Sequence, residues 1–492
     1  MREDILKELT AQLKLDYGLV ERGSYLREGK CPQCNDKKSL WTPAEHPWVL
    51  RCGKLERCGW EGETKGLYPE IFDDWSKRYK PTRTNPNASA DAYLIAARGL
   101  DIAPLKGAYT QEVYQDPDLR IVSATVRFPL PGGTFWQRLI DQPGRFGDKK
   151  ATFGYGGSYK GHVWTYPGDS IAALASAHEI WIVEGIFDAC ALRQSGIVAV
   201  SAMSCNNYPA LFLADLRKAI GERPELGAGP RIVFALDQGS AGVEWTISHV
   251  AEARKAGWNV TAAQVQMDGE GDKRDWNDLH LAERLKASHI EEYLWNGAVT
   301  IAGSADEKAF LIYQRNKSAS FPMVFNHRQM WASFSLERIE QIMENMAAND
   351  AVFAALPYEQ RWNHAARQGA DITELANCTF KTLYYQRDPN LEEGAYFLRV
   401  EFPKVRGEPR RDAVKATFSG ANLTAGAEFK KRLSSVAPGA QWTGATGHLD
   451  KLMQKQWATI RTVEAIQHTG YSIEHEAYLL GDIGVAGGKV VK

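Results

Sequence analysis

Four of the seven cysteines stand between residues 31 and 58, as Cys31-Pro-Gln-Cys34 and, after seventeen intervening residues, Cys52-Gly-Lys-Leu-Glu-Arg-Cys58. Two close thiolate pairs joined by one loop can converge tetrahedrally on a single ion, and that donor set selects zinc. Cys190, Cys205 and Cys378 are scattered, so the usage is that of a metal site in a reducing compartment rather than a disulfide framework. His46, within the loop, is a further candidate ligand. Gly53 and Gly59, each directly after a cysteine, suit tight turns that bring backbone amides to thiolate sulfur. The ion can simply hold together a unit too small for a good core. Trp41, Trp48 and Trp60, interleaved with Lys37, Lys38, Arg51, Lys54 and Arg57, also suit a stacking and phosphate-binding face for single-stranded DNA. Some of these tryptophans must instead pack against the cysteine turns.

A second constellation is acidic. Ile180-Trp-Ile-Val-Glu184-Gly-Ile-Phe-Asp188 sets a carboxylate where an apolar strand ends in a glycine turn, with another one helical turn later. Ile232-Val-Phe-Ala-Leu-Asp237-Gln-Gly-Ser-Ala-Gly242 repeats the device, and Lys273-Arg-Asp275-Trp-Asn-Asp278 follows. Ligand sites of open α/β sheets lie outside the carboxyl ends of the strands, so Glu184 and Asp237 are expected to face one crevice. Carboxylates gathered there repel one another, and hard cations, magnesium or manganese, relieve that repulsion. Such ions suit phosphoryl transfer by neutralising charge on the attacking and leaving oxygens. Taken singly, Asp188 and Asp278 are as readily helix caps or solvated loop charges; the order and spacing of the whole set favour a site.

The positioning elements follow from the apolar pattern. Ile5, Leu6, Leu9 and Leu13 predict an amphipathic helix leading into the cysteine unit. A Pro- and Asn-rich stretch, residues 81–87, reads as a linker. A helix over Ala92 to Arg98 and strands over Ile121 to Phe128 and Thr134 to Ile140 predict a mixed α+β unit. Apolar runs at Ile180 to Val183, Ile197 to Val200, Ile232 to Leu236 and Trp258 to Val265 alternate with helix-like stretches, which implies a parallel sheet covered on both faces. Beyond Val299 the alternation stops, giving way to a helix over Leu336 to Ala355 and a strand over Ala395 to Phe402. The expected fold class is multidomain α/β, in units at residues 1–80, 81–168, 169–299 and 300–492.

The order Glu184-Gly-x-x-Asp188, Asp237-x-x-x-Ala-Gly242 and Asp275-x-Asn-Asp278 resembles the Toprim domain. With a zinc ribbon upstream, residues 25 to 285 resemble the DnaG-type bacterial primases and the primase-helicases of phages and mobile elements. The resemblance implies magnesium-dependent RNA primer synthesis on a single-stranded DNA template from NTPs, with Glu184 and Asp237 at the catalytic metals and Asp275 completing the acidic cluster. Many Toprim domains have Asp-x-Asp after the third strand, whereas this chain has Asp237-Gln238-Gly239, and Asn277 stands where some relatives carry an acid. Both departures imply fewer bound metals or a slower enzyme.

From Arg120 to Lys160 there are seven Lys or Arg against two Asp, and the run from Phe135 to Ser158 resembles the subdomain that precedes Toprim in primases. Arg138, Lys149, Lys150 and, behind them, Lys160 are the candidates for holding template and triphosphate by charge. The alternative is a solvated strip. The segment from Phe429 to Trp442 resembles, more weakly, regions ahead of helicase modules, yet no Gly-x-x-x-x-Gly-Lys-Ser/Thr occurs. The end at Gly-Gly-Lys-Val-Val-Lys492 fits a primase working with a replicative helicase either joined in cis or separate in trans. A formal charge of −1 excludes wholesale adhesion to polyanions, so nucleic-acid contact is expected to be local. No stretch suits a signal peptide or membrane span, which predicts a cytoplasmic protein. A topoisomerase would need a positioned tyrosine and a far larger assembly. The remaining rivals are a Toprim metal-dependent nuclease and an inactive single-stranded DNA-binding protein.

Overall fold

The structure is a computed structural model that describes every residue except 73, 223–227, 267–273, 388–393, 404, 406–410, 459, 465–469, 473–476, 481–482, 487–488 and 492. It divides into two units, Met1–Ile301 and Ala302–Lys492. No helix among the described residues is long and apolar enough to cross a membrane.

The first unit opens with α1 (Glu3–Tyr17), which buries Ile5, Leu9 and Leu13 at four-residue spacing and stops at Gly18, whose φ of 67° only glycine adopts freely. A five-stranded meander follows: β1 (Val20–Arg22), β2 (Tyr25–Gly29), β3 (Leu40–Pro43), β4 (Val49–Cys52) and β5 (Glu61–Glu63), in that spatial order. The short helices α2 (Thr64–Leu67) and α3 (Trp75–Arg78) lead to α4 (Ala88–Ala96). This last helix starts four residues before the predicted one, after Asn87, and ends two residues before Arg98.

A second antiparallel sheet comprises β6 (Thr110–Gln115), β7 (Val122–Leu130), β8 (Thr134–Leu139) and β9 (Ala151–Phe153). The third sheet carries the acids. Its elements are β10 (Trp164–Thr165), α5 (Ile171–Ala175), β11 (Glu179–Val183), α6 (Ile186–Gln194), β12 (Ala199–Ser201), α7 (Ala210–Gly221), β13 (Arg231–Ala235), α8 (Ser240–Lys255), β14 (Val260–Ala262), α9 (Trp276–Leu281) and α10 (Ala287–Thr300). The strand order is β10-β12-β11-β13-β14, with all pairings parallel except the β10 edge, a short strand the apolar pattern did not announce.

Residues 180–183 and 232–235 are all fully buried. Trp181, Val183, Val233 and Ala235 enter one core, while Ile180, Ile182, Ile232 and Phe234 enter another. Alternate side chains on the same strand thus fill opposite faces, which is why these strands read as unbroken apolar runs. The predicted run from Trp258 to Val265 contracts to Val260–Ala262, and its neighbours pack outside the ladder.

In the second unit, strands Ser320–Phe325, Arg328–Phe334 and Ala370–Ala376 form one antiparallel sheet, and Thr379–Arg387, Ala395–Glu401 and Val414–Phe418 lie in another. The long helix expected over Leu336 to Ala355 breaks at Asp350. One helix ends at Asn349, and the Asp350 carboxylate accepts from the amides of Val352 and Phe353 to cap the next, Ala351–Ala354. Phe429 and Trp442 are core residues here, in edge contact at 5.4 Å.

On α10, Gly297 lies so close to β14 that an added Cβ would overlap the carbonyl oxygen of Ala262. Gly297→Ala therefore forces helix and strand apart and is expected to cost about 1–3 kcal/mol, measured by urea unfolding of the full chain.

Candidate active site

The cysteine site is built by two turns. In the first, the amide of Asn35 bonds the Cys31 carbonyl and that of Cys31 bonds Asp36, with Asn35 left-handed at φ 57°. In the second, the amides of Cys58 and Gly59 both reach the Lys54 carbonyl, with Gly59 at φ 58°. Gly53 has no left-handed backbone; its amide bonds Ser39 and an added Cβ would lie 3.4 Å from that carbonyl. The sulfur atoms of Cys31, Cys34, Cys52 and Cys58 all lie within 4.8 Å of one another, with Cys31–Cys58 and Cys34–Cys52 each at 3.8 Å. A tetrahedron of Zn–S bonds of about 2.3 Å requires sulfurs about 3.8 Å apart, so the donor set fits zinc. The backbone amide of Asp36 draws the Cys34 thiol down to about 7, toward the thiolate a metal needs. His46 instead stacks on Trp48 at 4.9 Å and bonds the amino terminus.

The tryptophans divide as their surroundings dictate. Trp48 donates to the Ala96 carbonyl, and Trp60 folds against Gly62. Trp41 lines an open groove of about 580 Å³ with Tyr25, Arg27, Lys38 and Lys54. It meets Tyr25 edge-on at 5.7 Å and has the Arg51 guanidinium 5.6 Å from its ring centre.

The acids gather at the carboxyl ends of β11 and β13. Glu184 follows β11, and its backbone carbonyl accepts from Ser201 Oγ at the end of β12. Asp188, on the first turn of α6, is 5% exposed and folds back over Gly185, where any Cβ would strike its carboxylate. Asp237 follows β13, and its Oδ1 is buried with no hydrogen-bond partner. Asp275 caps α9, accepting from the amide of Asp278 at 2.7 Å while the Asp278 carboxylate accepts from the amide of Asp275 at 3.1 Å. These two are helix caps as well as members of the cluster. Trp276 fixes the start of α9 by donating to the Ala235 carbonyl at 2.7 Å and meeting Trp181 edge-on. Lys273, which opens the sequence run into Asp275, lies outside the described residues.

Burial and mutual repulsion dominate the electrostatics. Burial, then Glu184 and Asp275, push Asp237 up to about 8. Burial, then Asp275 and Glu63, push Asp278 up to about 7. Asp188 is raised well above the carboxylate range by burial, then by Asp275 and Asp237, and Glu184 rises through burial alone. Among the described residues only the cysteines bring three or more ligand atoms within 4.8 Å, so the carboxylates stand apart. An orphaned buried oxygen on Asp237, flanked by acids that raise one another, is nonetheless a donor set that fits a hard divalent cation. Glu184, Asp237 and Asp275 are the residues suited to hold one.

Gly239 explains the missing carboxylate. Its φ of 136° and ψ of 165° fall in a region essentially reserved for glycine, so the turn after Asp237 has no room for an aspartate without rebuilding. Asn277 is likewise specific. Its amide nitrogen donates to the Arg98 carbonyl, its Oδ1 accepts from the Arg98 guanidinium, and its backbone amide donates to Asp188. An acid there would lose the first of these bonds.

Of the four basic candidates, the structure brings only Arg138 to the acids. It is largely buried beside Tyr93, Arg98 and Asp275, and its Nε has no partner. Lys149 pairs with Asp116 at 2.7 Å and bonds the Tyr114 hydroxyl, while Lys150 and Lys160 are exposed. Three residues that sequence reasoning missed complete the surroundings. Arg98 Nε donates to the Tyr93 hydroxyl at 3.0 Å, and the Lys65 ammonium sits 5.7 Å from the Tyr93 ring centre. A lone arginine closing an alanine-rich helix was the available sign of Arg98.

Two outcomes follow. Chelation of zinc, or Cys52→Ser, is expected to unfold the meander around the cysteines, visible as new proteolytic cleavage within residues 20–63 and loss of one zinc per chain. Asp237 and Asp278 have folded pKa values raised above their unfolded ones. They therefore stabilise the metal-free protein most below about pH 4, and that contribution is lost as pH rises through about 7 to 8. Magnesium should raise the melting temperature more at pH 8 than at pH 6, and Asp237→Asn should remove most of that difference.

Residues 181–280 match the family model described as Toprim-like. No curated protein matches the chain in sequence. Among solved structures, the zinc-binding and RNA polymerase domains of the Aquifex aeolicus primase are similar at 15% identity and a TM-score of 0.29, covering 65% of this chain and 98% of that one. The RNA polymerase domain of Mycobacterium tuberculosis primase DnaG is similar at 14% identity and a TM-score of 0.28, covering 64% and 94%. The same domain in complex with double-stranded DNA is similar at 18% identity and a TM-score of 0.26, covering 39% and 62%. The sheet that carries Glu184, Asp237 and Asp275 thus belongs to a Toprim-like domain within a multidomain α/β chain.

Proposed function

We propose that the chain is a DNA primase, joining ribonucleotides into short RNA primers on a single-stranded DNA template by metal-dependent nucleotidyl transfer. The observation that carries the reading is the Toprim-like acidic site, with the orphaned Asp237 Oδ1 at its centre, in one unit with the four-cysteine cluster upstream. Divalent ions bound there would neutralise charge on the triphosphate and ease deprotonation of the primer 3′-hydroxyl. Glu184, Asp237 and Asp275 would hold those ions, Asp188 would support the first turn of α6, and Asp278 would fix Asp275 through the shared cap. Arg138 would meet phosphate at the site, whereas Lys149, Lys150 and Lys160 would act along the path of the template. The groove at Trp41 has an aromatic wall with cationic rims, which suits an unstacked base and its flanking phosphates. The proposed units are residues 1–80, 81–168, 169–299 and an α+β unit at 300–492, and a replicative helicase, in cis or in trans, would be a partner of the chain.

Gly239 favours a second reading, a DNA-binding protein whose catalysis is lost with the absent carboxylate. Purified protein given single-stranded DNA, magnesium or manganese and labelled NTPs separates the two. Oligonucleotides are expected from the native chain, with Asp237→Ala reducing the rate at least about a thousandfold, roughly 4 kcal/mol of transition-state stabilisation. Template bound without product would establish the second reading, and cleavage of labelled DNA without synthesis would mark a Toprim nuclease.

A further inference from the structure

Seven residues after Cys58, the chain leaving the cysteine meander turns inward as α2 and carries Lys65 to the acidic site of the third sheet. Its ammonium has no hydrogen-bond or ion-pair partner among the described residues and lies 5.7 Å from the centre of the Tyr93 ring. Around that phenol stand two further cations, Arg98 and Arg138. Arg98 is satisfied by Tyr93 and by Asn277, whereas the Nε of Arg138 is buried and unpartnered. Three positive groups within reach of one hydroxyl repel one another. Burial, followed by Arg98, lowers Lys65 to about 8. Burial pushes Tyr93 up, yet Arg98, then Lys65 and Arg138, outweigh it and bring the phenol down to about 7. The nearest acids offer little relief, since Asp275 and Asp278 are occupied with each other's amides. An ammonium with no hydrogen-bond or ion-pair partner and a guanidinium that reaches Tyr93 but leaves its Nε buried and unpaired, next to carboxylates suited to a metal, form an incomplete site whose missing component is a polyanion.

We propose that Lys65 joins Arg138 in gripping the phosphates of the nucleoside triphosphate at the acidic site, so that the cysteine meander supplies a ligand-binding residue to the Toprim-like domain. The proposal rests on the nucleotidyl-transfer reading for the identity of the ligand, while the phosphate chemistry stands on the cations alone. It also gives zinc a second consequence. Loss of the metal would release the segment that holds Lys65 in place and weaken triphosphate binding, although no cysteine lies at the acidic site.

The test uses the full-length chain with a fluorescent ATP analogue, followed by anisotropy with and without magnesium, and with inorganic tripolyphosphate as competitor. Lys65→Met is expected to weaken binding of both anions about tenfold or more, and Lys65→Arg to retain most of it. The same Lys65→Met chain should melt no lower than the native one, because it removes an unpartnered, half-buried cation. That combination is one a merely structural lysine would not give. Unchanged affinity in Lys65→Met, a fall in melting temperature that accompanies the loss of binding, or no triphosphate binding by the native chain would each overturn the proposal. Primer synthesis distinguishes the two levels. A native chain that makes primers and a Lys65→Met chain with an unaltered KM for NTP would defeat the proposal and leave the primase reading standing. A native chain that binds triphosphate through Lys65 but makes no primers would do the reverse.

Discussion

Asp188 has almost no solvent around it and faces two further carboxylates, Asp237 and Asp275. Folding a chain around such a group costs free energy in proportion to how fully it is charged, and the surrounding structure reduces that cost from several sides. The backbone amide of Asn277 donates to it, Arg98 lies behind that asparagine, and burial with the neighbouring acids raises its pKa well above the carboxylate range, which favours the uncharged form. The Arg98 guanidinium is itself buried and would be equally expensive alone. Its bonds to Tyr93 and Asn277 join the end of α4 to the start of α9, with Arg98 and Asn277 179 residues apart in sequence. The contact between the sheet and the helix preceding it is therefore electrostatic at its centre and apolar around it, with Phe187 under the guanidinium at 4.8 Å.

The same constraint accounts for what the sequence revealed and what it concealed. Glu184 and Asp237 were legible because each ends an apolar run whose strand is buried on both faces, a pattern that fixes position without knowledge of any contact. The Toprim resemblance read from them, with Asp275, is matched by the family model over residues 181–280. The four cysteines were legible through spacing alone. Lys65, Tyr93 and Arg98 were not, since each belongs to a short or alanine-rich segment with no motif. Their meaning comes from a meeting of three distant parts of the chain. Lys149 was marked by charge density, and its pairing with Asp116, 33 residues earlier, is a contact that charge density does not reveal.

Departures from a family pattern acquire a cause once the backbone is known. At Gly239 the turn after β13 adopts a conformation that residues with a side chain rarely take, so an acid there would be strained. At Asn277 a side chain that both donates and accepts satisfies two groups of Arg98 at once, which a carboxylate cannot do. Both changes lower the negative charge of the cluster, and both are compensated locally, the first by backbone geometry and the second by hydrogen bonding.

The cysteine meander is also fastened to the sheet by a second ionic joint. Glu61, on β5, receives Arg51 from its own sheet and Arg274 and Arg284 from either side of α9. Arg51 further donates to the carbonyl of Ala282 at the end of that helix. Exposed ion pairs contribute little, but a carboxylate only 11% exposed and shared by three guanidiniums is a network whose members would each be left uncompensated if it opened. The joint grips both ends of α9, the helix whose cap is Asp275. Placement of Asp275 is thus tied to a strand that begins three residues after Cys58, the last of the four clustered cysteines. The geometry of the cysteine turns and that of the carboxylates at the sheet are in this way parts of one mechanical chain, linked through Glu61.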